Sequence, residues 1–121
     1  MGQMTAPPVL DPVALERLHR IGGDTLERQM LALFREAAPK RVAEVRAAAA
    51  AGDFPALARA AHALVSNAGN VGGSEVVVCA RSLEEAAAAG RTAEVPALTT
   101  ALDAAFGRLE AGLAAAGKAL G

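Results

Sequence analysis

The apolar residues Phe54, Leu57, Ala61, Leu64, Ala68 and Val71 recur every three or four positions, the spacing of a helix that buries one face. Asp53, with Pro55 just behind it, marks where that helix starts. The cluster Gly69-Asn70-Val71-Gly72-Gly73 marks where it stops. Upstream, Asp11-Pro12 reads as an N-cap with proline in the first turn, opening a short helix through Leu15, Leu18 and Ile21 that Gly22-Gly23 ends. Asp24 with Glu27 three residues later gives a capping-box-like start to a long helix carrying Leu26, Met30, Leu33, Phe34, Ala37, Val42 and Val45. Pro39 should kink that helix rather than end it, because the spacing resumes beyond it, and the break comes at Gly52-Asp53. Downstream, Val76, Ala80, Leu83 and Ala87 mark a helix that ends near Gly90. A last helix follows Thr92 and Pro96.

That last helix has the most regular pattern: Val95, Leu98, Leu102, Ala105, Leu109, Gly112 or Leu113, and Ala116 form an a/d seam. Such a seam suits a coiled-coil dimer or the inside of a bundle. Three other helices have matching faces and the connections are short, which favours the intramolecular seam. The expected fold is all-α, an antiparallel up-down-up-down four-helix bundle with an additional short N-terminal helix. Residues 1–10 are expected to form a flexible leader, residues 11–121 the bundle domain, and the chain to be a monomer.

His62 does not belong to the apolar stripe. At about 100° of rotation per residue, its side chain points roughly 130° from the centre of the buried face. Around it on that side are Ala58, Arg59, Val65, Ser66 and Gly69, mostly short side chains that leave an imidazole standing clear. Ala58, Val65 and Gly69 are therefore candidates for a partner-docking surface.

Composition narrows the classes of function. With 121 residues there is room for one domain. Alanine and leucine dominate, aromatics make up 2%, and the formal charge is −1. Twelve basic residues scattered without aromatic interleaving give nucleic-acid binding little electrostatic support. No apolar run approaches a membrane span, the first residues lack signal-peptide character, and a lone cysteine, Cys79, suits a reducing compartment; the expectation is a cytoplasmic protein. Cys79 and Val76 to Val78 read as packing residues. A metal site is not expected: His19 and His62 are far apart, Cys79 lies on another helix, and no i, i+4 ligand pair occurs. A hydrolytic triad cannot be assembled from the spacing either.

Imidazole is neutral and nucleophilic near neutral pH, with an ordinary pKa of about 6.5, so an exposed one can take up a phosphoryl group and pass it on. From Phe34 to Glu84 the chain resembles the histidine-containing phosphotransfer (HPt) family, the carriers of multistep phosphorelays in two-component signalling. His62, Leu64, Asn70, Val71, Gly72, Gly73, Leu83 and Glu84 carry the resemblance, with Phe34, Gly52, Asp53 and Leu57 also where the family has them. The resemblance implies a stand-alone phosphocarrier without autokinase activity, with His62 as phosphoacceptor. It implies response-regulator receiver domains and a hybrid histidine kinase as partners, and no cofactor on this chain, Mg²⁺ being expected on the receiver.

Three positions depart from the family pattern: Val65 stands where a lysine is expected, Ser66 where a glycine is, and Asn67 where a serine is. A valine cannot neutralise phosphoryl charge. Reflecting His62 through the two turns places it level with about residue 41 on the preceding helix and about residue 82 on the following one. Lys40, Arg41 and Arg81, with Arg59 and Ser66 one turn from His62, are thus candidate phosphoryl-stabilising residues. Ser66 has a second option, bonding back to the carbonyl of His62. A histidine-kinase dimerisation domain fits less well, since Ala63 follows the histidine and no proline lies between Pro55 and Pro96. The substantive alternative is an HPt-like adaptor that has lost phosphotransfer and acts by binding a signalling partner.

Overall fold

The computed structural model describes residues 6–118. Helix α1 spans Pro12–Ala51, α2 Phe54–Gly69, α3 Ser74–Ala89 and α4 Val95–Ala115, with a short 3₁₀ turn at Thr92–Glu94 before the last. Each helix packs on two neighbours, α1 on α2 and α4, α3 on α2 and α4, which closes a four-helix bundle. The additional N-terminal helix is present as the first segment of α1. Gly22 and Gly23 leave helical geometry there, and Gly23, at φ 65°, adopts a conformation that disfavours a side chain. No such departure occurs at Pro39, through which α1 continues.

Local sequence explains where the helices begin and end. The Asp11 carboxylate accepts from the Val13 amide at 3.0 Å and the Asp53 carboxylate from the Ala56 amide at 3.1 Å, each satisfying an otherwise unpaired first-turn donor. Gly52 and Gly90 close α1 and α3 in left-handed conformation, their amides turned back to the preceding carbonyls.

The stripe on α2 is buried as its spacing requires: Leu57, Ala61, Leu64, Ala68 and Val71 are fully enclosed. On α4, Leu102, Ala105, Leu109 and Leu113 face the chain's own bundle, so the a/d seam is occupied internally. Phe34 of α1 stacks obliquely on Phe106 of α4, ring centroids 5.9 Å apart. The expected stripe of α1 needs correcting. The buried line is Leu31, Phe34, Ala38, Val42, Val45 and Ala48, whereas Leu33 is 58% and Ile21 72% exposed. Val78, expected to pack, is also exposed. Glu27 does not cap α1: its carboxylate meets the Lys118 ammonium at 2.6 Å.

Residues 6–10, part of the expected flexible leader, are held against the bundle; residues 1–5 of that leader lie outside the described residues. The Glu75 amide donates to the Pro8 carbonyl at 2.9 Å and the Asp11 amide to the Gly72 carbonyl at 2.7 Å, while Val9 and Leu10 pack on the core. This strap passes so close to the α2–α3 turn that a Cβ on Gly72 would collide with the Asp11 carbonyl oxygen, and Gly72 itself has φ 84°.

Replacing Leu102 with alanine is expected to cost about 2 to 5 kcal/mol by chemical denaturation, and Leu33→Ala less than about 0.5 kcal/mol. Similar losses at the two positions would contradict this core. Gly72→Ala is expected to destabilise by about 1 to 3 kcal/mol or more and to strip the Asp11 amide of its protection from hydrogen exchange. Undiminished protection there would show that the strap is held some other way.

Candidate functional site

His62 lies midway along α2 with 72% of its side chain exposed. Its Nδ1 is 2.8 Å from Oε2 of Glu84 on α3. A carboxylate can only accept, so Nδ1 carries the proton and donates it. The lone pair of a neutral ring is then on Nε2, the nitrogen not engaged by Glu84. An exposed pair of this kind contributes at most about 1 kcal/mol to folding. Its effect is on orientation and tautomer, since it leaves the free lone pair on Nε2.

Glu84 was not singled out for this role from the sequence. Reflection through the α2–α3 turn places His62 level with about residue 82; the residue that reaches the ring is two positions farther on. The signal was the Leu83-Glu84 pair at the expected spacing, where Leu83 is fully buried and Glu84, the next residue, is turned to the α2 side.

The flanks of His62 differ. Taking 100° per residue, Val65, Ala58 and Gly69 fall on the side of α2 nearer α3, and Arg59 and Ser66 on the side nearer α1. Gly69 confirms the first assignment: a Cβ there would stand 3.8 Å from Cγ2 of Val77 on α3. Ala58, Val65 and Val77 are half-buried against the core, and with exposed Val78 they provide apolar surface beside the ring. On the other flank, Arg59 and Ala63 line a shallow groove of about 620 Å³ with Arg41, Glu44 and Asp53.

The candidate cations separate in the same way. Arg41 is bonded to Glu44 at 2.8 Å and Lys40 stands 4.0 Å from Glu36. Arg59 and Arg81 make no ion pair among the described residues. Nor does Ser66 bond back to the His62 carbonyl, although Thr99 and Thr100 on α4 do bond back to Val95 and Pro96. Its hydroxyl remains available.

A second polar cluster lies at the α1 break, where His19 Nδ1 is 3.2 Å from Asp24 and 3.6 Å from Glu27. Ligand atoms of these three residues come within 4.8 Å of one another, a grouping the sequence spacing did not suggest. Glu27 is already matched by the Lys118 ammonium, so the buried carboxylate has its counter-charge without a metal ion. Cys79 is half-buried on α3. Burial, and secondarily the Glu75 carboxylate, push its thiol above the ordinary range against the opposing effect of Arg108, which keeps it protonated and unreactive.

Among the described residues no helix is long and apolar enough to cross a membrane. No curated protein matches the chain. The crystal structure of histidine-containing phosphotransfer protein B (HptB) from Pseudomonas aeruginosa PAO1 is similar, with a TM-score of 0.78 and 28% identity, over 84% of this chain and 88% of that one. The family model of the Hpt domain matches residues 29–118, which takes in most of the long segment of α1 and all of α2, α3 and α4. With the bundle, the motif and this match in agreement, the chain belongs to the Hpt domain family, the histidine phosphotransfer carriers of phosphorelays.

Proposed function

We propose that His62 accepts a phosphoryl group from the aspartyl phosphate of a receiver domain and returns it to the aspartate of another. The observation that carries this reading is the 2.8 Å bond from Nδ1 to Glu84 on an otherwise exposed ring, which leaves Nε2 as the reactive nitrogen. In the transfer, the Nε2 lone pair forms the bond to phosphorus as the bond from phosphorus to the aspartyl oxygen breaks, and the electron pair leaves on that carboxylate. No proton has to move. The Nδ1 proton stays in place, and the positive charge that develops on the ring faces Glu84. Positioning and charge neutralisation dominate a loose phosphoryl-transfer transition state, so a preset ring is a direct contribution to rate.

The apolar surface of Ala58, Val65 and Gly69, extended by Val77 and Val78, serves as the seat for the receiver, with polar residues at its rim. The receiver supplies the Mg²⁺, and the phosphoryl group originates from a hybrid histidine kinase, since this chain relies on its partners and not on ATP. It works in the cytoplasm as a monomer. Val65 favours a second reading, an adaptor that binds a signalling partner without accepting phosphate.

Incubation with a phosphorylated receiver is expected to place acid-labile label on the wild-type chain and none on His62→Gln. Label on both, or on neither across a panel of receivers, would favour the adaptor. Glu84→Ala is expected to slow single-turnover transfer about tenfold, the equivalent of a charge-assisted hydrogen bond of about 1.4 kcal/mol. The same change should lower the Nδ1-protonated share of the neutral ring, read from its ¹⁵N shifts. An unaltered tautomer ratio would remove Glu84 from the mechanism.

A further inference from the structure

A phosphoryl group on Nε2 would add about two negative charges to a ring whose other nitrogen already faces the Glu84 carboxylate. On the α3 side of His62, α2 itself offers only Ala58, Val65 and Gly69. None of these can balance that charge, so a cation on this side has to come from α3.

Two contacts fix how α3 lies against α2. His62 meets Glu84, and a Cβ on Gly69 would stand 3.8 Å from Cγ2 of Val77. Seven residues forward on α2 correspond to seven back on α3, so both contacts obey one antiparallel register. In that register the residue opposite Val65 is Arg81. It belongs to the ridge Val77, Arg81, Glu84 and Ala88, which spans only about 60° of the α3 surface and runs along α2. Its Cα is three residues, about 4.5 Å, along the axis from the level of His62, a displacement that an arginine side chain exceeds in length.

We infer that Arg81 is the cation that contacts the phosphoryl group on His62, supplying from α3 the charge that Val65 cannot supply from α2. The inference rests on the phosphotransfer reading above. Arg41, Arg46, Arg91 and Arg108 are each engaged by a carboxylate within 2.9 Å, and Lys40 stands near Glu36, whereas Arg81 is exposed and makes no ion pair among the described residues. Its neighbour Glu84, three residues on, is taken up by His62. Arg59 has no such pair either, but it stands on the α1 flank, in the groove with Arg41. A planar guanidinium gives two parallel N–H bonds to phosphoryl oxygens, a geometry that a point charge lacks.

The test is the equilibrium partition of the phosphoryl group between this chain and one fixed receiver. Arg81→Gln is expected to shift it about two- to fivefold toward the receiver, the upper part of the range of an exposed ion pair. Adding Val65→Lys to that variant should shift it back, a rescue that a purely structural role for Arg81 would not produce. Circular dichroism of each variant checks that the bundle is intact. A wild-type chain that accepts no label overturns the phosphotransfer reading itself. A wild type that accepts label while Arg81→Gln leaves the partition unchanged overturns the Arg81 inference alone, as does an equal shift from Arg59→Gln or a failure of Val65→Lys to restore it.

Discussion

The register of α2 against α3 is set by buried carbon and determines everything at the His62 surface. Leu57, Ala61, Leu64 and Ala68 on one helix and Val76, Ala80, Leu83 and Ala87 on the other are almost wholly enclosed. Each large side chain among them is worth about 1.5 to 3 kcal/mol of burial, against at most about 1 kcal/mol for the exposed pair of His62 and Glu84. The core therefore places the pair, and the pair does not place the core. Sliding α3 by one residue would turn Glu84 by about 100° and leave the imidazole without its partner.

What holds the register at its end is the turn between the two helices. Gly72 and Gly73 let that turn come down onto its surroundings: a side chain at Gly73 would run into Leu109 of α4, and one at Gly72 into the carbonyl of Asp11. The strap through Pro8 and Asp11 thereby links the start of α1 to the start of α3. Ion pairs from Arg108 to Glu75, at the turn itself, and from Arg46 to Asp103, farther off, join α4 to α3 and α1. Among the described residues, the face bearing His62 carries no such cross-link apart from Glu84.

The legible parts of this chain were those decided locally. On α2 the large residues fall on one side and small or polar ones on the other, so the stripe, its caps and the outward aspect of His62 could be read directly. Helix α1 could not be read as well. Alanine recurs on all its faces, so the choice between Leu33 and Leu31, or Ala37 and Ala38, depends on where the rest of the bundle lies; the break at Gly22 and Gly23 also shifts the phase of Ile21. The expected cap by Glu27 gave way to a contact ninety-one residues away in sequence. Residues 6–10 resembled a leader because the order of this segment comes from backbone bonds at Pro8 and Asp11 to a distant turn, which leave no periodic trace. Glu84 was visible as part of a spacing but not as a partner of His62, because a two-residue error in helix level decides which side chain arrives.

Free imidazole in water is a nucleophile with two interchangeable heads. Here Glu84 engages one of them, so the ring is regiochemically biased: an electrophile reaching it, a protein-bound acyl phosphate or a small reagent, is steered toward the other nitrogen, which favours one isomer of the adduct. A carrier that must surrender its cargo along the path by which it arrived gains from having less of a second isomer to unload.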